Sequence, residues 1–257
     1  MRALLRIART EVLEHSRQPW MLVILAVSYL VWLVVFGAVF VVLDQVFARP
    51  EALALLQQQS LELGVEFDTS LRLMVSSFGA LVFTNLPLFV AIMSGYSVLH
   101  DRTCGTMPFL MLAPITRRQV LAGKLLGGMA IPLLLHLLFV GAGTLLLGRL
   151  PVLAPYAVMF GSSPAWWLAF LVGAPASAAM VGSLGTVISA LSGDVRTSMQ
   201  YTSFFIGLLS LAIGVVLVDA IAWGPGFQFA FAAGCLVVAA LTLVVGAWII
   251  SRDVAPS

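Results

Sequence analysis

The stretch WMLVILAVSYLVWLVVFGAVFVVL, residues 20–43, carries no charged side chain. A membrane crossing by an α-helix needs about 20 largely apolar residues, and this run exceeds that. Five further segments qualify: 73–99, 121–147, 165–191, 199–218 and 227–250. Charges gather between them. Backbone amides and carbonyls in lipid must be bonded within the segment, so helices are the expected spanning form. The apolar/polar alternation of a membrane β-barrel is absent. The expectation is an all-α integral membrane protein with six transmembrane helices.

Bulk composition points the same way. Of 257 residues, 61% are hydrophobic and 9% charged, with mean hydropathy +1.08. A soluble domain carries roughly a quarter charged residues, so here lipid must serve as solvent for much of the surface. The net charge of +2 implies no attraction to nucleic acid. Two cysteines, Cys104 in a charged loop and Cys235 in an apolar run, make neither a disulfide framework nor a thiolate metal site. No short apolar segment precedes a small-residue cleavage site, so no cleaved signal peptide is expected.

Orientation follows from lysine and arginine. With the N-terminus inside, the inner segments hold Arg2, Arg6, Arg9, Arg17, Arg102, Arg117, Arg118, Lys124, Arg196 and Arg252, against Arg49, Arg72 and Arg149 outside. This predicts a multi-pass protein of the cell (inner or plasma) membrane with both termini cytoplasmic.

Residues 1–19 form a separate part, ahead of a six-span domain over 20–257. On a helical wheel Arg2, Arg6, Arg9 and Arg17 fall within an arc of about 80°, with Leu4, Leu5, Ile7, Ala8 and Val12 over much of the rest. That is the layout of an amphipathic helix in the headgroup region, its basic side toward anionic lipid. Ordinary positive-inside flanking charge is the plainer reading of the same arginines. Pro19 suits a helix start and Trp20 the interface. The external loop, roughly 44–72, has room for a short amphipathic helix over 51–63, with Leu53, Leu56, Ser60 and Leu63 near one another.

The most informative stretch is LHDRTCGTMPFLMLAPITRRQVLAGK, residues 99–124. Gly105 and Pro108 can break the preceding helix. Met107 and Phe109 to Leu112 then offer an apolar surface too short to span. Pro114 closes it, Thr116 can cap the next helix, and Arg117, Arg118 and Lys124 anchor the return into the third span. An apolar face between charged anchors calls for a partner, either membrane surface or protein.

These residues resemble the permease subunits of ABC exporters of the ABC-2 type. The resemblance rests on the acidic–basic pair Asp101–Arg102, the step Gly105–Thr106, the apolar run Phe109, Leu110, Met111 and Leu112, Pro114, and Gly123–Lys124 opening the next helix. It extends to the N-terminal interfacial helix, the six spans and a short second turn, SGDVRTSMQ over 192–200. Two departures stand out: Asp101 replaces the usual Glu, and Met107 stands where the family usually has an acidic residue. The segment 219–227 is also brief where many members have a re-entrant element.

The resemblance implies that Asp101, Arg102, Gly105, Thr106, Phe109, Leu110, Leu112, Pro114 and Arg117 form a coupling helix that docks on a separate ABC ATPase subunit. Asp194 and Arg196 would make a second contact. It also implies two permease copies around a translocation path, and ATP with Mg on the partner subunit. The chain itself has no phosphate-binding loop: ahead of Gly123–Lys124, Arg118 occupies the place of the first glycine and Leu125 that of the Ser/Thr.

Asn85 and His136 lie within spans and either line a substrate path or hydrogen-bond neighbouring helices. His15, His100 and His136 have no metal-ligand spacing. No Asp, Glu, Lys or Arg is central in a span, which disfavours an ion-coupled secondary transporter. A non-transporting scaffold or mechanotransmitting subunit of an ABC complex is the other alternative. No cluster of nucleophile, base or metal ligands suggests an enzyme. Nothing in the residues selects a substrate.

Overall fold

The computed structural model describes residues 2–62, 67–151, 167–192, 206–213 and 224–253, with Thr197, Gln200, Tyr201 and Phe204 between them. Every regular element among these residues is helical. In chain order they are α1 (Arg2–Ser16), α2 (Pro19–Phe47), α3 (Pro50–Glu62), α4 (Phe67–Thr103), α5 (Met107–Leu112), α6 (Arg117–Leu147), α7 (Ala174–Leu191) and α8 (Pro225–Asp253). A π-helical turn, Ala169–Gly173, leads into α7.

Four helical stretches are long and apolar enough to cross a membrane: Pro19–Phe47, Arg117–Leu146, Ala169–Leu191 and Pro225–Ile250. They overlap the expected spans 20–43, 121–147, 165–191 and 227–250, of which residues 165 and 166 lie outside the described residues. The expected span 73–99 falls inside the 37-residue α4. Most of 199–218 lies outside the described residues, with helix at 206–213.

The helix starts follow from local chemistry. Pro19 occupies the first turn of α2, where its missing N–H costs no bond. Thr116 caps α6 in a full capping box: Gln119 N donates to Thr116 Oγ1 at 3.3 Å, and Thr116 N donates to Gln119 Oε1 at 3.0 Å. The π turn has a similar cause. Pro175 has no N–H to give the carbonyl four residues back, and the ladder there widens, with Ala174 N–H donating to Ala169 O.

Side chains facing outward are as apolar as those facing inward. On α2, Leu25, Tyr29, Phe36 and Phe40 are buried at helical spacing, while Val23, Ile24, Val27, Leu30, Val31 and Val34 are exposed. An exposed apolar surface of that extent is untenable in water and ordinary against lipid. The inward face of α2 meets α6 through aromatic contacts, including Phe36–Phe139 at 6.0 Å edge-on and Tyr29–Phe139 at 5.8 Å.

The tightest pairing, between α4 and α7, uses small residues, as close helix packing in lipid requires. A Cβ on Gly185 would lie 2.7 Å from Ala91 O, and Ser94 Oγ donates to Gly182 O at 3.1 Å. The short helix anticipated at 51–63 is α3, and Leu53, Leu56 and Ser60 are its more sheltered residues.

Candidate functional site: the charged end of the bundle

Helix α1 does not simply float on its apolar face. It lies across α6, and the pair Gly123/Gly127 is where the two backbones approach. A Cβ on Gly123 would lie 2.7 Å from Ile7 Cγ2, and one on Gly127 would collide with Glu11 Cβ and lie 3.0 Å from Ala8 O. The four arginines Arg2, Arg6, Arg9 and Arg17 remain exposed on the opposite side, and Trp20 is 80% exposed at the start of α2.

That approach brings a carboxylate into the protein. Glu11 is buried, and so are Lys124 at 1% exposure, Asp101 and Ser97. Lys124 Nζ donates to Glu11 Oε1 at 2.5 Å and to Ser97 Oγ at 2.8 Å, and stands 2.6 Å from Asp101 Oδ2. The Asp101 contact is a close ion pair without the alignment of a hydrogen bond. Ser97 Oγ donates in turn to Glu11 Oε2.

His15, one turn after Glu11, is also buried. Its Nδ1 lies 2.6 Å from Glu11 O and its Nε2 3.3 Å from Met93 O. Both partners are backbone carbonyls, so the ring bridges α1 to α4. One ammonium and two carboxylates from three separate helices thus join α1, α4 and α6 in a water-poor setting, where such contacts are strong if satisfied.

One expectation is corrected here: Lys124, read from the sequence as an anchor at the start of the third span, is an interior residue, because the close approach of α1 seals it over. Asp101 likewise faces inward, toward Lys124.

The end of α4 then hands this geometry to α5. Thr106 N donates to Asp101 O at 2.9 Å and Gly105 N to Arg102 O at 3.2 Å, the bond pair of a Schellman motif. Its left-handed position is Gly105, at φ +70°, a conformation that glycine alone adopts without steric cost. Thr106 Oγ1 also donates to Asp101 Oδ1 at 2.7 Å. The same carboxylate therefore faces the buried ammonium and fixes the residue that opens α5.

Helix α5 is short and two-sided. Met107 is buried with Val98, Leu121, Ala190, Ala247 and Ile250, and Leu110 packs against that cluster. Phe109 and Leu112 are 74% and 82% exposed. Met107 and Leu110, counted from the sequence with an outward apolar surface, are thus the root of the helix, while Phe109 and Leu112 are its tip. Pro114 is exposed beyond it and Arg117 half-buried at the start of α6.

Arg102 turns the other way. Its Nη1 donates to Ala190 O, and to Ser192 O at 3.0 Å. These are end carbonyls of α7, which lack helical partners, and Ser192 opens the second turn. Arg102 therefore ties the two turns together. Asp194 and Arg196 lie outside the described residues.

Asn85 and His136 belong to a different part of the bundle. His136 is fully buried with its ring 6.1 Å from Phe170. Neither of its ring nitrogens, nor Asn85 Nδ2, has a hydrogen-bond partner among the described residues. Gln228, on α8, shares this condition at both side-chain polar atoms.

Glu11 is the residue of this cluster hardest to read from sequence. Its signal was there: on the helical wheel it sits opposite the arginine arc, beside Leu4 and Ile7, a lone carboxylate on an apolar face. A charge in that position needs a buried partner.

Described elements that are all helical, with apolar outer surfaces suited to lipid and with charge gathered at the helix ends, define the class as an integral membrane protein. The model of the family described as ABC-2 family transporter protein matches residues 5–255, and the chain belongs to that family. It is therefore an ABC-2 type transporter permease, a multi-pass membrane protein, and the family implies an ABC ATPase as its partner. No curated protein and no solved structure matches it.

Proposed function

We propose that the chain is the membrane-spanning subunit of an ATP-driven exporter, working as a homodimer whose two copies enclose the path. It has six spans, including one over roughly 199–218, and both termini in the cytoplasm of a cell whose inner or plasma membrane it crosses. The charged end of the bundle faces the ATPase. ATP and Mg are bound by that partner subunit, and α5 is the coupling helix.

The observation that carries this reading is the two-sidedness of α5. Phe109 and Leu112 stand exposed on a helix whose other side, Met107 and Leu110, is embedded among α4, α6, α7 and α8. An apolar tip on a rooted helix suits docking in a cleft of a protein partner, and its rootedness suits transmission of force. Arg117 flanks the tip, and the turn carrying Asp194 and Arg196 makes a second contact beside it. Arg2, Arg6, Arg9, Arg17 and Trp20 hold α1 at the membrane surface.

The test is co-purification of the ATPase with tagged full-length protein. Phe109→Asp and Leu112→Asp are expected to abolish it while the permease stays monodisperse, since both side chains are already in solvent. Undiminished co-purification and ATPase activity in both variants would remove the coupling role. Retained assembly and ATPase cycling with no substrate movement in any transport assay would favour a mechanotransmitting subunit.

A further inference from the structure

The root of α5 has a neighbour that neither the docking tip nor the ion cluster uses. Between the start of α6 and the last turns of α8 lies an open cleft of about 750 Å³, lined by Thr116, Arg117, Arg118, Val244, Val245, Ala247 and Trp248. Its two walls differ in kind. The α6 wall contributes two adjacent guanidinium groups, and neither has an ion-pair partner among the described residues. The α8 wall is aliphatic with one indole, and Val245 and Trp248 are each about half exposed.

The contrast with the rest of this end is informative. Of the neighbouring cations, Lys124 is held by Glu11, Asp101 and Ser97, and Arg102 donates through Nη1 to Ala190 O and Ser192 O. Arg117 and Arg118 have no such ion-pair acceptor among the described residues and stand beside an apolar wall. A ligand that matches both walls has an anionic group for the guanidinium pair and hydrocarbon for the valines. Guanidinium is suited to phosphate, which it binds through paired N–H donors. Tryptophan favours the level where lipid headgroup meets acyl chain. Basic pockets between membrane helices at the headgroup level are suited to anionic lipid.

We propose that this cleft is a binding site for one anionic phospholipid, its phosphate on Arg117 and Arg118 and its chains along Val244, Val245 and Trp248. It rests on the chain crossing a membrane with this end at the headgroup level, and does not depend on ATPase docking. The lipid wedges α6 against α8 at the base of the coupling helix, so occupancy stiffens that base.

The test uses purified, delipidated full-length protein, re-supplied in detergent with phosphatidylglycerol, phosphatidylcholine or inorganic phosphate, and read by native mass spectrometry. The wild-type chain should retain one phosphatidylglycerol in preference to phosphatidylcholine. Each arginine removed should weaken retention about fivefold, so Arg117→Gln/Arg118→Gln should nearly abolish the preference. Val245→Trp fills the apolar half without changing charge and should weaken retention too. Arg49→Gln/Arg149→Gln removes equal charge at the far end and should not.

Four outcomes overturn the proposal. Equal retention in the α6 double variant removes the phosphate contact. Equal loss in the far-end variant shows general surface attraction. No effect of Val245→Trp, with inorganic phosphate displacing the lipid, reduces the site to one for free phosphate. Loss of ATPase co-purification in the α6 double variant, with lipid retained, assigns the arginines to the protein partner. The docking proposal fails independently, on Phe109 and Leu112.

Discussion

At the α1 end of the bundle a set of buried charges is tightly partnered; elsewhere three buried neutral side chains, His136, Asn85 and Gln228, hold polar atoms without a hydrogen-bond partner among the described residues. Lys124 Nζ stands 2.5 Å from Glu11 and 2.6 Å from Asp101, with Ser97 completing the set. The physics permits each in its own place. A full charge cannot be buried without a counter-charge, since desolvation exceeds any other local gain. A neutral imidazole or amide can be, at a smaller cost of a few kcal/mol or less.

Two roles separate on this difference. A buried ion pair is poor evidence for stability, because a well-packed apolar replacement often serves as well. Its distinctive contribution is to fix which helices meet and in what register. In this chain it fixes α1 to the end of α4, and through Thr106 it fixes the start of α5. His136, Asn85 and Gln228 make no such cross-link among the described residues. They are either a tolerated cost of packing or are kept for something that passes them.

The largest effect should come from Lys124→Met, which leaves two carboxylates buried without their cation. Breaking a buried pair from one side costs about 3–5 kcal/mol, read as a large drop in thermal unfolding temperature of the purified protein. Adding Glu11→Gln and Asp101→Asn to the same chain should recover most of it. A single variant as stable as the wild type would mean the cluster is not buried as described.

The next effect has the opposite sign. His136→Leu removes a ring whose two nitrogens have no hydrogen-bond partner among the described residues and should leave stability unchanged or raise it by about 1–3 kcal/mol. If the ring lines the export path, transport falls while stability rises. If stability falls, the ring has a partner, and the contrast between the two ends of the bundle fails at this residue.

The smallest change is Gly105→Ala. A left-handed backbone costs a residue with a Cβ about 1–2 kcal/mol, and the Schellman turn holds α5 at its angle. Stability should drop by about that amount, and affinity for the ATPase should weaken without being lost. An unaltered affinity would show that the angle of α5 is set by Met107 and Leu110 alone.

Much of this was legible in the sequence. Runs such as 20–43 and 121–147 need no neighbour to be read, because lipid is a uniform solvent and hydrophobicity over about 20 residues is a local property. The capping box of Thr116 with Gln119 is local as well, and so is the arginine arc of α1. Phe109 and Leu112 could be named as an apolar surface between charged anchors.

Which side of each short element faces in was a matter for the tertiary structure. Met107 and Phe109 are two positions apart and equally apolar, yet one is buried and the other exposed, because α8 brings Ala247 and Ile250 to one side only. Lys124 reads as a surface anchor from its neighbours in sequence. It becomes the interior cation because Gly127 lets Glu11, 113 positions earlier, reach it. Solvent preference is written into a stretch of chain residue by residue. The partner of a charge is a property of two distant stretches at once, and only the packing of α1 on α6 supplies it.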